Sequence, residues 1–117
     1  MDNSPNYVIN EEDAENWQVL LNSPCLLPLS DPDFQLPEPE QVKLLRQYLG
    51  LSQAKLGRFL GKTVTPKGCS LVRKWETRKS SPEYREIDKN SWRRMLAAAQ
   101  LCDVLDDLSL VKVPLGK

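Results

Sequence analysis

Lys67, Ser70, Arg73 and Lys74 fall on one face if the residues around them are helical, since each residue turns the chain by ~100°. Thr77 joins them, and no acid shares that face. Such a surface donates hydrogen bonds and carries positive charge, so its natural work is binding an anion. Arginine and lysine in particular match the O6 and N7 acceptors of guanine. Acid–base catalysis is a poor fit. The chain contains no histidine, no glycine-rich phosphate loop and no recognisable carboxylate pair in a pocket, so an enzyme is not expected.

The opposite face holds Val72 and Trp75, with Leu71 beside them, and should point into a core. Two starts fit this helix. Thr65-Pro66 is a cap followed by a first-turn proline, whereas Gly68 favours a later start near Cys69. A shorter helix precedes it, with Ser52 as N-cap, Leu51 and Leu56 as a hydrophobic staple, and Gly61 after its end. Leu56, Phe59 and Leu60 are expected inward, and Gly57 in mid-helix suggests that another backbone comes close. Two short helices meeting at a glycine turn, the second basic on its outer face, form the pattern of a helix-turn-helix DNA reader.

Charge is distributed unevenly along the 117 residues, although the formal total is zero. Residues 1–40 hold nine acids and no base; residues 41–94 hold fourteen bases against four acids; residues 95–117 are nearly balanced. A basic middle segment suggests a polyanion contact, and the stretch before it reads as an acidic appendage.

The remaining elements must position that face. Asn10 can cap a short helix whose Ala14, Trp17 and Leu21 share one apolar side, ending near Asn22-Ser23-Pro24. Prolines at 24, 28, 32, 37 and 39 predict an extended connector and a domain boundary near residue 37. A helix over Glu38 to Leu49 follows, with Val42, Leu45 and Leu49 buried and Gly50 just past its end. Ser80 to Asp88 is a loop. From about Lys89 a longer helix buries Trp92, Met95, Leu96 and Ala99, and it continues or restarts through Leu108. Asp106-Asp107 reads as solvated helix-end charge, and Tyr7-Val8-Ile9 and Leu110 to Val113 are possible short strands. The expected fold is all-α, a compact helix-turn-helix bundle of four to five helices over residues 37–117. An acidic, proline-rich arm over residues 1–36 adds one extra short helix.

Across LRQYLGLSQAKLGRFLG and LVRKWETRK the chain resembles the Cro/C1-type, lambda-repressor-like helix-turn-helix domains. The matching residues are Arg46, Gly50-Leu51-Ser52-Gln53, Leu56-Gly57, Gly61, Val72, Trp75-Glu76 and Arg78-Lys79. The resemblance runs from about Val42 to Leu108 and leaves out the acidic arm. It implies a partly buried ion pair between Arg46 and Glu76, a phosphate contact at Gln53, base-facing positions at Ser70 and Lys74, and phosphate contacts at Arg78 and Lys79. One departure stands out: Gly61 and Val72 enclose ten residues, about five more than the family uses. The surplus either lengthens the turn or adds a turn to the second helix, so the base reader is open among Lys67, Ser70, Arg73 and Lys74. Lys62, Thr77 and Arg85 complete the candidates for phosphate contact.

These readings lead to a sequence-specific regulator of transcription that binds double-stranded DNA, acting as a repressor and a homodimer on a palindromic site. The alternative is an antitoxin that autoregulates its operon and binds a toxin protein through residues 1–36; a third role for that arm is to mimic DNA and shield the basic face. Cys25, Cys69 and Cys102 stand too far apart for zinc ligands, so neither metal nor other cofactor is expected, and reduced thiols are. No apolar run reaches the ~18 residues of a membrane span and no basic-then-apolar leader opens the chain, so a cytoplasmic location without membrane contact is expected.

Overall fold

The computed structural model describes residues 11–112; the expected cap at Asn10, the strand at Tyr7-Val8-Ile9 and Val113 lie outside the described residues. Within that range the protein is all-α: α1 (Glu11–Leu21), α2 (Pro39–Tyr48), α3 (Gln53–Phe59), α4 (Ser70–Trp75), α5 (Lys89–Ala98) and α6 (Val104–Lys112), with one 3-10 turn at Pro24–Leu26. No described helix is long and apolar enough to cross a membrane.

Helix ends follow local chemistry. α2 begins at Pro39, whose missing N–H would have had no partner in the first turn, and the Gln41 side chain reaches back to accept from the Glu38 amide at 2.8 Å. Gly50 then takes a positive φ of 74° and stops the helix. Ser52 caps α3 by accepting from the Lys55 amide, and Asp88 caps α5 by accepting from Ser91.

One core joins all parts of the range up to α5. Leu20 and Cys25 from the acidic segment are buried with Val42 and Leu45 of α2, Leu56 of α3, Val72 and Trp75 of α4, and Trp92, Met95 and Leu96 of α5. The Trp92 indole donates to the Cys25 carbonyl at 2.8 Å, and Trp17 stacks on Tyr48 at 4.4 Å between ring centroids. Packing runs across the position near residue 37 where the boundary is expected. Pro37 and Pro39 are themselves buried.

Several expectations about faces change. On α1 Leu20 is the buried residue and Ala14 is exposed. Phe59 is 38% exposed and lies under the Arg94 guanidinium, 4.7 Å from its ring centroid. Leu110 and Val111 belong to α6 and form no strand, because a helix opened by Asp103 outweighs a four-residue alternation. Asp107 is not free helix-end charge. The Arg93 guanidinium grips it at 2.6 and 2.7 Å and also donates to the Leu26 and Leu27 carbonyls.

The chain also repeats itself at an offset of 50 residues. Backbone bonds Gln35 to Pro24, Asp31 to Pro28, Phe34 to Asp31, Val42 to Glu38, Gly50 to Gln47 and Leu51 to Arg46 recur as Arg85 to Lys74, Ser81 to Arg78, Tyr84 to Ser81, Trp92 to Asp88, Gln100 to Ala97 and Leu101 to Leu96. Gln100 copies the positive φ of Gly50, at 61°. The two segments share a turn built on Asp31-Pro32-Asp33-Phe34 and Ser81-Pro82-Glu83-Tyr84, then an acidic N-cap, a ten-residue helix and a leucine after the turn. α5 is thus the counterpart of α2.

Candidate nucleic-acid interface

α3 and α4 pack on each other, and the chain between them settles where α4 starts. Thr65 and Gly68 exchange both backbone hydrogen bonds, at 3.0 and 2.8 Å, closing a two-residue hairpin over Pro66 and Lys67. Gly68, at φ 110°, supplies a conformation that other residues resist. Pro66 therefore serves a turn, and α4 starts late, with Cys69 as the residue before it. The surplus residues lengthen the connection and add nothing to α4, which is six residues long.

Lys67 accordingly sits at the hairpin tip, exposed, and is not part of the helical face expected for it. Ser70 and Arg73 are exposed on α4 and Lys74 is half-exposed, while Val72 and Trp75 are buried behind them. Thr77 lies just past the helix and donates its hydroxyl to the Arg73 carbonyl at 2.8 Å. Ser70, Arg73 and Lys74 form one outward surface, and α1 packs against α2 and the 3-10 turn.

Arg46 and Glu76 meet as the resemblance implied. The guanidinium donates to both carboxylate oxygens at 2.6 and 2.9 Å, and the two side chains are only 12% and 5% exposed. A third donor nitrogen of Arg46 reaches the Leu51 carbonyl, and Gln53 donates to Glu76 at 3.1 Å. This network fastens the start of α3 and the end of α4 to α2, so the geometry of the outer face is set from behind. Gln53 is spent on it and is half-buried.

Three of the other candidate cations are paired with acids. Arg73 pairs with Glu83 at 3.3 Å, Lys62 with Asp88 at 3.3 Å, and Lys79 with Glu38. The bond it donates to the Glu38 carboxylate holds the Lys79 ammonium above its ordinary pKa. Lys62 also stands 5.9 Å from the Trp75 ring centroid, over the face of the residue that anchors α4. Arg85 folds back onto the Pro82 and Tyr84 carbonyls, though it remains exposed. Arg78 is exposed and, with Lys79, lines a groove of about 850 Å3 that also takes in Asp13, Glu38 and Glu40.

Asp88 has a depressed pKa: burial pushes its carboxyl up, but the Ser91 hydroxyl and amide and the Lys62 ammonium outweigh burial. Burial pushes the Cys25 thiol up to about 11 and raises Cys102 as well, so these two resist ionisation. Among the described residues no group of three or more His, Cys, Asp and Glu is placed to hold a metal ion.

Sequence reading overlooked Arg93, which ties α5 to α6 and to the segment after α1. Its one signal was an arginine between Trp92 and Met95 on the buried side of a helix. No protein-family model, curated protein or solved structure matches the chain.

Proposed function

We propose that this protein is a cytoplasmic, sequence-specific double-stranded DNA-binding regulator, a repressor of the Cro/C1-type helix-turn-helix kind that binds a palindromic operator as a homodimer. One observation carries the reading: α4, anchored from behind by Val72 and Trp75, presents Ser70, Arg73 and Lys74 outward within the segment that holds fourteen of the sixteen bases. α3 and α4 act as the helix-turn-helix pair, joined by the hairpin over Thr65 to Gly68 in place of a tight turn.

Lys74 and Ser70 read base edges, with Arg73 released from Glu83 to join them. Arg78, Lys79 and Arg85 supply phosphate contacts and most of the affinity, which therefore falls with salt. Lys62, Thr77 and the hairpin's Lys67 flank the same surface. The Arg46–Glu76 pair positions the helix and touches no DNA.

The test is a binding titration on the operator and on random DNA. Lys74→Ala lowers discrimination between the two, whereas Arg78→Ala weakens both by a similar factor and reduces the salt slope by about one. Equal losses of discrimination in both variants would count against the assignment. Burial of Leu20 and Cys25 in the common core weighs against the antitoxin alternative, which needs residues 1–36 free to wrap a partner.

A further inference from the structure

No acid belongs to α4, yet the fold delivers one to its outward face from the loop that follows. That loop turns back on the helix, where the Arg85 amide donates to the Lys74 carbonyl at 3.2 Å. Within it the Ser81 amide donates to the Arg78 carbonyl and the Tyr84 amide to the Ser81 carbonyl. The Ser81 hydroxyl accepts from the Glu83 amide at 3.2 Å, and the Arg85 guanidinium donates to the Pro82 and Tyr84 carbonyls on either side. So held, Glu83 places Oε1 3.3 Å from Nη2 of Arg73, at the very tip of the arginine. Both side chains stay open to the outside, Arg73 at 47% and Glu83 at 60% exposed.

We propose that Arg73 and Glu83 read one G·C base pair together, the arginine donating to guanine O6 and N7 and the carboxylate accepting from the N4 amino group of cytosine. This rests on the DNA-binding reading above and names the base pair that it selects. A carboxylate at the tip of an arginine arrives at a base edge whenever the arginine does. Across the major groove a G·C pair offers acceptor, acceptor, donor, in the order N7, O6, N4. Arg73 and Glu83 offer donor, donor, acceptor in the same order. An A·T pair offers acceptor, donor, acceptor and a methyl group, so it cannot match the arginine fork and the carboxylate at once. An exposed ion pair is weak, so Arg73 and Glu83 exchange each other for the base pair at little cost. At a wrong pair the released carboxylate faces thymine O4 or phosphate and repels it. The acid thus selects by what it excludes as well as by what it binds.

Selection from a randomised duplex pool tests this, with the enriched sequences compared for the full native chain, Glu83→Gln, Arg73→Ala and Lys74→Ala. The native chain enriches a G·C pair at a fixed position by about tenfold or more over the other pairs. Glu83→Gln and Arg73→Ala each erase that preference at the same base pair, and Lys74→Ala erases one at a different position. Glu83 lies outside the core, so its substitution leaves the fold intact. An unchanged preference in Glu83→Gln overturns the proposal and leaves the DNA-binding reading standing. A change at a base pair other than the one lost in Arg73→Ala does the same. Preferences lost at every position in Glu83→Gln overturn it too, by making the carboxylate a prop of the whole surface. A native chain that enriches no sequence overturns both readings.

Discussion

Gly57 of α3 lies directly against Cys69, the residue that opens α4: a Cβ at position 57 would stand 2.7 Å from the Cys69 sulfur and 2.8 Å from its Cβ. Val64 closes the third side at 3.0 Å. The glycine thus sets how closely the two helices approach. The sequence signalled a near neighbour there, and the neighbour is a side chain, not the backbone.

Gly57→Ala therefore destabilises the protein in spite of alanine's better helix propensity. The propensity gain is ~1 kcal/mol, and overpacking a tight contact costs about 1–3 kcal/mol. Urea unfolding measures the balance, and no loss would mean that α3 and α4 can separate freely.

Removing one partner of the Arg46–Glu76 pair should cost more than removing both. Arg46→Met strands a carboxylate that is 5% exposed, at about 3–5 kcal/mol, whereas Arg46→Met with Glu76→Leu leaves no buried charge. A double-mutant cycle by chemical denaturation checks this. Additive losses would mean the two groups do not interact.

Arg93→Lys should loosen α6 without unfolding the core. A lysine cannot make the paired bonds to Asp107 and also satisfy the Leu26 and Leu27 carbonyls. Hydrogen exchange should show faster amides in α6 and after α1, with α5 still protected. The Cys102 thiol, half-buried beside Arg93, should react faster with a thiol reagent while Cys25 stays inert.

Acid should weaken the start of α5. The folded-state pKa of Asp88 is depressed, so its contribution is present above the unfolded carboxylate value and is lost as pH falls through the folded one. Asp88→Asn keeps the cap but removes the titration. Its urea midpoint should change less than that of the native chain between pH 7 and pH 3, a range spanning the ordinary carboxylate pKa of about 3.9. Equal slopes would show that Asp88 does not contribute.

Much of the fold was legible because it rests on local chemistry. Ser52, Pro39, Gly50 and the run from Lys89 announce helix ends through caps and backbone preference, and Val42, Leu45, Trp75 and Trp92 announce their faces through spacing. The Arg46–Glu76 pair was legible only through the resemblance, since thirty positions separate the two residues and no local rule joins them. The start of α4 was ambiguous because Thr65-Pro66 can begin a helix or shape a turn; the Thr65–Gly68 bonds decided it.

Composition and periodicity by themselves determined an all-α chain with a basic middle and an acidic start, because helix caps and charge are properties of neighbouring residues. Only the tertiary structure decided that the acidic segment shares the core, that Arg93 rather than a loop holds α6, and that residues 74–101 repeat 24–51. Those facts depend on which distant surfaces meet. Hydrophobic burial is non-directional, so the sequence names the residues that must leave water and long-range packing chooses their partners.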